Sequence, residues 1–198
     1  MTPRVDTRIT PLKTAVDYLS SLFNRTPMKL IRSLHFYSGM VITLFVAGHL
    51  WNHIMAIFGP EAHLSLMNDL RVIYRHPIGE GILLIAVFTQ VISGLNLFWN
   101  AKTYFKGFFN QLQLWSGLYL ALFFLIHVSA VLFGRYFFDM DTNFYFGVAG
   151  LNTFPYILFF VPYYTLAIFA FFAHLAAIHF KKMKYPFLGI SVRHQSYV

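Results

Sequence analysis

Four stretches of the chain carry apolar residues almost without interruption: roughly His35 to Phe58, Pro77 to Trp99, Leu112 to Phe137 and Phe154 to Phe180. Each matches or exceeds the roughly 20 helical residues that cross a hydrocarbon core, and lengths of this order predict helices rather than barrel strands. None holds Lys, Arg or Asp except near an end. Glu80 falls in the first turn of the second run, where an acid meets the positive end of the helix dipole. Arg135 closes the third, where a long side chain snorkels to the interface. The pattern predicts an all-α, integral membrane four-helix bundle with spans 35–58, 77–99, 112–137 and 154–180.

The segments between and beside these runs alternate differently. Thr10-Pro11 reads as N-cap and N1, and Leu12, Ala15, Val16, Leu19, Leu22 and Phe23 recur at helical spacing, which predicts an amphipathic N-terminal surface helix. No apolar core of a secretory signal follows the basic N-terminus before residue 35. Between Gly59-Pro60 and His76-Pro77, the residues Leu64, Met67, Leu70 and Ile73 form one stripe of a second surface-lying segment. Tyr136 to Pro155 reads as a turn-rich loop with Asp139, Asp141, Asn143, Gly147 and Gly150. The organisation is therefore an N-terminal segment 1–34, one transmembrane domain 35–180 and a basic tail 181–198.

Composition adds the solvent and charge adds the orientation. With 58% hydrophobic and 11% charged residues, the chain is too apolar for a water-facing surface, so its environment is the lipid bilayer. The net charge of +8 does not indicate nucleic acid, because Lys and Arg cluster at segment ends. Arg4, Arg8, Lys13, Arg25, Lys29 and Arg32, then Lys102 and Lys106, then Lys181, Lys182, Lys184 and Arg193 make twelve of fifteen basic residues on one side. The positive-inside bias then predicts both termini on the cytoplasmic or matrix side. There is no cysteine, which excludes disulfides and thiolate-held iron–sulfur or zinc centres within this chain.

Nine histidines remain as candidate chemistry. His49, His127 and His174 lie inside spans and His53 lies nearer the outer end; an ionisable group at that depth faces the bundle interior and needs a partner. At about 1.5 Å per residue, His49 sits roughly 16 Å and His127 roughly 20 Å from the inner boundary, whereas His174 sits roughly 9 Å from it. Gln90, on a descending helix, comes level with His174. The outer pair is then His49 with His127, and the inner pair His174 with Gln90. Two neutral imidazoles from facing helices bind one iron axially, and Gly48, Gly94 and Gly117 give a flat macrocycle room. Asn52, His53, Arg71, Arg75, His76 and Arg135 lie by depth where haem propionates would be met. A structural reading stands beside this one: intramembrane His can hydrogen-bond across helices to Thr43, Asn52, Ser93, Asn96, Ser116 or Ser129. His53 is open between replacement ligand, quinone contact and structural group. His35, His63, His76, His179 and His194 fall at interfaces or beyond, in solvated or headgroup-facing positions.

At these residues the chain resembles the membrane-anchor cytochrome b subunits of succinate dehydrogenase and fumarate reductase. The similarity runs from about Ile31 to His179. It rests on Leu34-His35-Phe36-Tyr37-Ser38-Gly39, Gly48-His49-Leu50, Gln90-Val91-Ile92-Ser93-Gly94, Gln113-Leu114-Trp115-Ser116-Gly117 followed by His127, and His174. The resemblance implies that His49 and His127 are the metal ligands of an outer haem b. It also implies that His174 is one ligand of an inner haem whose other ligand position holds Gln90. One haem b is thus implied outright and a second only through Gln90. Arg32 and Phe36 stand where Ser and Arg help form a quinone site in some members, and the fifth helix of many single-chain members is missing. The function implied is a non-catalytic subunit that anchors flavoprotein and iron–sulfur partners and passes electrons to or from quinone. Its membrane would be the bacterial cytoplasmic membrane or the mitochondrial inner membrane. The alternative is a haem-free structural or assembly subunit. A transporter is disfavoured, since no helix carries a paired Gly/Pro break and no buried acid is available for proton relay.

Overall fold

The protein is described by a computed structural model covering residues 27–101, 106–185, 190–191 and 194. Its described regular elements are helices: α1, Met28–Met55, extended by a 3-10 turn Ala56–Phe58; α2, Pro60–Tyr74; α3, Pro77–Ala101; α4, Phe108–Tyr136; α5, Phe144–Ala149; and α6, Ile157–Lys182. α1 with its turn, α3, α4 and α6 are long and apolar enough to cross a membrane. The chain is a multi-pass membrane protein by this measure. The amphipathic helix anticipated before residue 27 lies outside the described residues.

Burial is inverted relative to a water-soluble protein. Leu44, Phe88 and Phe169 are exposed, whereas Ser38, Ala86, Ser93, Ser116, Ala121, Ala167, Ala170 and Ala177 are buried. Without a hydrophobic drive between helices in lipid, small residues let backbones approach, and hydroxyls satisfy one another or the carbonyl a turn back. Ser93, for example, donates to the Thr89 carbonyl.

The boundaries follow local chemistry. α1 begins just after Pro27, two turns before the apolar run, because Lys29 and Arg32 extend a helix past the hydrocarbon without cost to its backbone. Gly59, at φ 108°, makes the break that a side chain would resist, and Pro60 opens α2 at N1. α4 starts at Phe108 rather than near residue 112, after Gly107 at φ 95°. The segment read as turns from Tyr136 to Pro155 contains a short helix, α5. It forms because the Asn143 side chain accepts hydrogen bonds from the Tyr145 and Phe146 amides.

α1 packs on α3 and α4 on α6, with α3 and α4 joining the two pairs; α2 lies against α1 and the start of α3 and meets α5. Two ends are thereby defined. At the α2 end, Arg135 in the last turn of α4 makes a bidentate pair with Glu80 in the first turn of α3, at 2.9 and 3.0 Å. Nearby, Arg71 reaches Asp141 at 2.8 Å and Arg75 reaches Thr142 at 2.8 Å. At the termini end, where α1 begins and α6 finishes, Lys181 donates to Gln113 and Lys182 lies over the Phe36 ring.

Candidate functional site: two histidine pairs

The side of α1 away from α3 carries no extensive close backbone packing with α4 or α6. Histidine rings bridge that interval instead. Near the α2 end, His49 of α1 and His127 of α4 stand with ring centroids 6.3 Å apart and planes at 67°. Phe45 stacks on His49 and Phe123 on His127, at 5.7 and 5.0 Å, which holds both rings in place. His53 meets His49 at 3.2 Å between their Nε2 atoms.

Near the termini end stands a second pair, His35 of α1 and His174 of α6, with centroids 6.5 Å apart and planes at 72°. Depth along the sequence pairs His174 with Gln90. The structure instead sets Gln90 on the α1 side, its Nε2 at 3.2 Å from His35 Nε2 and its Oε1 accepting from Ser38 Oγ at 2.7 Å. His35 was placed at the interface because the apolar run starts there. Since α1 starts at Met28, His35 lies about 10 Å along the helix, and His174 lies about 12 Å from the end of α6 at Lys182. They are level. The signal available in the sequence is helical spacing: His35 and His49, 14 residues apart, fall on one face of a helix whose start the apolar run sets too late.

Hydrogen bonding fixes the tautomers of this pair. The oxygen of Gln90 is occupied by the Ser38 hydroxyl, so the nitrogen that faces His35 is a donor and His35 Nε2 accepts. The His35 proton is then on Nδ1, which donates to Ser93 Oγ at 2.9 Å. His174 Nδ1 lies 3.1 Å from the Gln113 carbonyl, which only accepts, so its proton is also on Nδ1. Each ring is backed by a glycine: a Cβ on Gly94 would stand 3.2 Å from His35 Cε1, and one on Gly117 would stand 3.0 Å from His174 Cε1.

Both pairs set imidazoles from facing helices at similar centroid separations, with Gln90 against His35 Nε2 and His53 against His49 Nε2. Imidazole nitrogens bind a first-row metal at about 2.0–2.1 Å, so two on opposite sides of one ion place their ring centroids roughly 6.3–6.5 Å apart. Nδ1–H donated to a protein oxygen, leaving the Nε2 lone pair, is the usual second contact of a ligating histidine. Among the described residues no group of three or more His, Asp or Glu is placed to hold a metal ion.

The other residues singled out by sequence lie at the α2 end. Asn52 meets His63, Arg71 and Arg75 face Asp141, and Arg135 is committed to Glu80 and Tyr136. His76 is exposed, and its Nδ1 accepts from the Ile78 amide at 3.3 Å. His63, assigned to a solvated or headgroup-facing position, is instead buried, because α2 folds its His63, Met67 and Arg71 face inward. Burial, with the Arg71 charge nearby, holds the His63 imidazole below its usual pKa range. No family model, curated protein or solved structure matches the chain.

Proposed function

We propose that the chain is a b-type cytochrome of the membrane, with one haem between His49 and His127 and a second between His35 and His174. The observation that carries this reading is the presence of two cross-bundle imidazole pairs at 6.3 and 6.5 Å, 14 residues apart on α1. That offset is about 21 Å of helix, which puts the pairs in opposite halves of a hydrocarbon core about 30 Å thick. A haem held by these histidines would supply one-electron redox chemistry. The protein residues bind and orient: Ser93 and the Gln113 carbonyl hold the Nδ1 protons of the pair at the termini end, and Phe45 and Phe123 hold the rings of the other.

The motifs running from Leu34 to His174 support an anchor subunit like those of succinate dehydrogenase and fumarate reductase, exchanging electrons with quinone and with soluble partner subunits. The basic residues Lys29, Arg32, Lys106, Lys181, Lys182 and Lys184 support a cytoplasmic or matrix side at the termini end. Two contacts favour a second reading, a haem-free structural subunit: Gln90 rests on His35 Nε2 and His53 on His49 Nε2. Haem content of the purified protein and its reduced-minus-oxidised spectrum decide between them. Two haems per chain are expected, His127→Ala removing one b-type signal and His174→Ala the other; a folded, colourless preparation rejects the cytochrome.

A further inference from the structure

A second polar site is buried beneath α2, one ring removed from the His49 pair, since His53 meets His49 and lies 5.3 Å from His63 between ring centroids. His63 and Asn52 are 3% and 5% exposed and are joined at 3.1 Å between Asn52 Nδ2 and His63 Nε2. The amide donates, so the ring nitrogen accepts and the His63 proton is on Nδ1. That Nδ1–H has no hydrogen-bond partner among the described residues, and neither have Asn52 Oδ1 and Arg71 Nε–H, although all three atoms are sealed from solvent. Arg71 follows His63 by eight residues on α2, with the buried Met67 between them on the same face. Buried polar groups are nearly always satisfied, so orphans at two levels along one face of α2, about 12 Å of helix apart, call for a partner that can reach along that face.

Charge states its sign. Arg71 and Arg75 share the single carboxylate of Asp141, at 2.8 and 3.8 Å, which leaves that cluster with one excess positive charge. Arg135 does not relieve or add to it, being neutralised by Glu80 at 2.9 Å. Both orphan nitrogens are donors, and a neutral His63 offers only that one proton.

We propose that this is an oxyanion site in which a carboxylate or phosphate oxygen accepts from His63 Nδ1–H and Arg71 Nε–H. Asn52 sets the His63 tautomer, and its Oδ1 takes a water carried with the anion. Two sources offer such an oxygen. One is a propionate of a haem at His49 and His127, which rests on the cytochrome reading; the other is a lipid headgroup phosphate, which does not.

Two variants separate binding from packing. Arg71→Lys keeps the charge opposite Asp141 and removes the Nε–H; His63→Phe keeps a ring against Phe144, now 5.0 Å away, and removes the Nδ1–H. With a propionate, either variant lowers the midpoint potential of the haem signal that His127→Ala abolishes and leaves the other signal in place. With a lipid phosphate, the potentials are unchanged. The melting temperature in phosphatidylglycerol vesicles, raised over phosphatidylcholine in the wild type, then loses that increment in both variants. Unchanged potentials together with an unchanged lipid increment overturn the site. Should the wild type bind no haem, the cytochrome reading fails alone, and the vesicle measurement still decides the oxyanion site. Arg71→Lys carries the test if His63→Phe does not fold.

Discussion

His35 and His174 face each other at 6.5 Å from helices at opposite ends of the chain, and Gln90 sits on the nitrogen of His35 that a metal would need. The amide is a donor there, so its hydrogen bond and a metal bond compete for one lone pair. Gln90 acts as a cover over His35.

The first prediction follows from that competition. Gln90→Ala removes the covering donor, and Ser38 keeps the Leu34 carbonyl at 2.8 Å as an acceptor. A hydrogen bond worth about 0.5–1.5 kcal/mol no longer has to be displaced, so haem affinity at this pair rises by up to about tenfold. Haem titration of apo-protein in a His127→Ala background measures it. Weaker binding would instead make Gln90 itself a ligand.

Glycine supplies the second. Gly117→Ala drives a methyl to 3.0 Å from His174 Cε1, and Gly94→Ala to 3.2 Å from His35 Cε1. Overpacking of this kind costs about 1–3 kcal/mol, with the Gly117 variant the more affected. Both reduce the haem signal assigned to this pair and spare the other. At Gly48 nothing lies within 4 Å of an added Cβ. Gly48→Ala therefore meets no protein atom and spares the signal of the His35 and His174 pair.

What the sequence made legible was whatever depends on long apolar runs: four spans and the level meeting of His49 with His127. What it concealed depends on where helices start and which way they turn. The apolar run begins at His35, but α1 begins at Met28, and those two turns convert an interface residue into the partner of His174. Gln90 was matched to His174 by depth alone, a measure that says nothing of azimuth; its side chain faces α1 instead. His63 lay on a predicted surface segment, and its burial arises from α1 and α5 closing over one face of α2, a contact no local pattern encodes.

The third prediction concerns the lock at the α2 end. The Arg135–Glu80 pair is bidentate, with side chains only 19% and 15% exposed. Glu80→Gln leaves a largely desolvated guanidinium with a weaker partner and costs about 1–3 kcal/mol, less than the 3–5 kcal/mol of a fully buried broken pair. Thermal unfolding in detergent checks this, and the double variant Glu80→Gln, Arg135→Met recovers part of the loss. Full additivity of the two single losses would show that the pair contributes nothing as a pair.

The last prediction is a pH dependence with separable windows. His63, depressed by burial and by Arg71, takes up its proton at lower pH in the folded chain than in the unfolded one, where it protonates near pH 6.5. Below that value the unfolded chain binds the extra proton, so the His63 contribution to stability is complete above about pH 6.5 and is lost as acid is added. Asp141 behaves differently. Burial works to raise its pKa, but the Arg71 hydrogen bond and charge, with Asn143 and Arg75, bring it below the usual carboxylate range. Its contribution is present above about pH 4 and is lost only as the pH falls through the folded value. Melting temperatures between pH 7 and 5 should therefore fall more steeply in the wild type than in His63→Gln. Over the same interval Asp141→Asn should run parallel to the wild type, the two curves converging only below about pH 4. A His63→Gln curve parallel to the wild type down to pH 5 would mean that the imidazole is charged in the folded protein, and that the donor left unpaired beneath α2 is not the one deduced from Asn52.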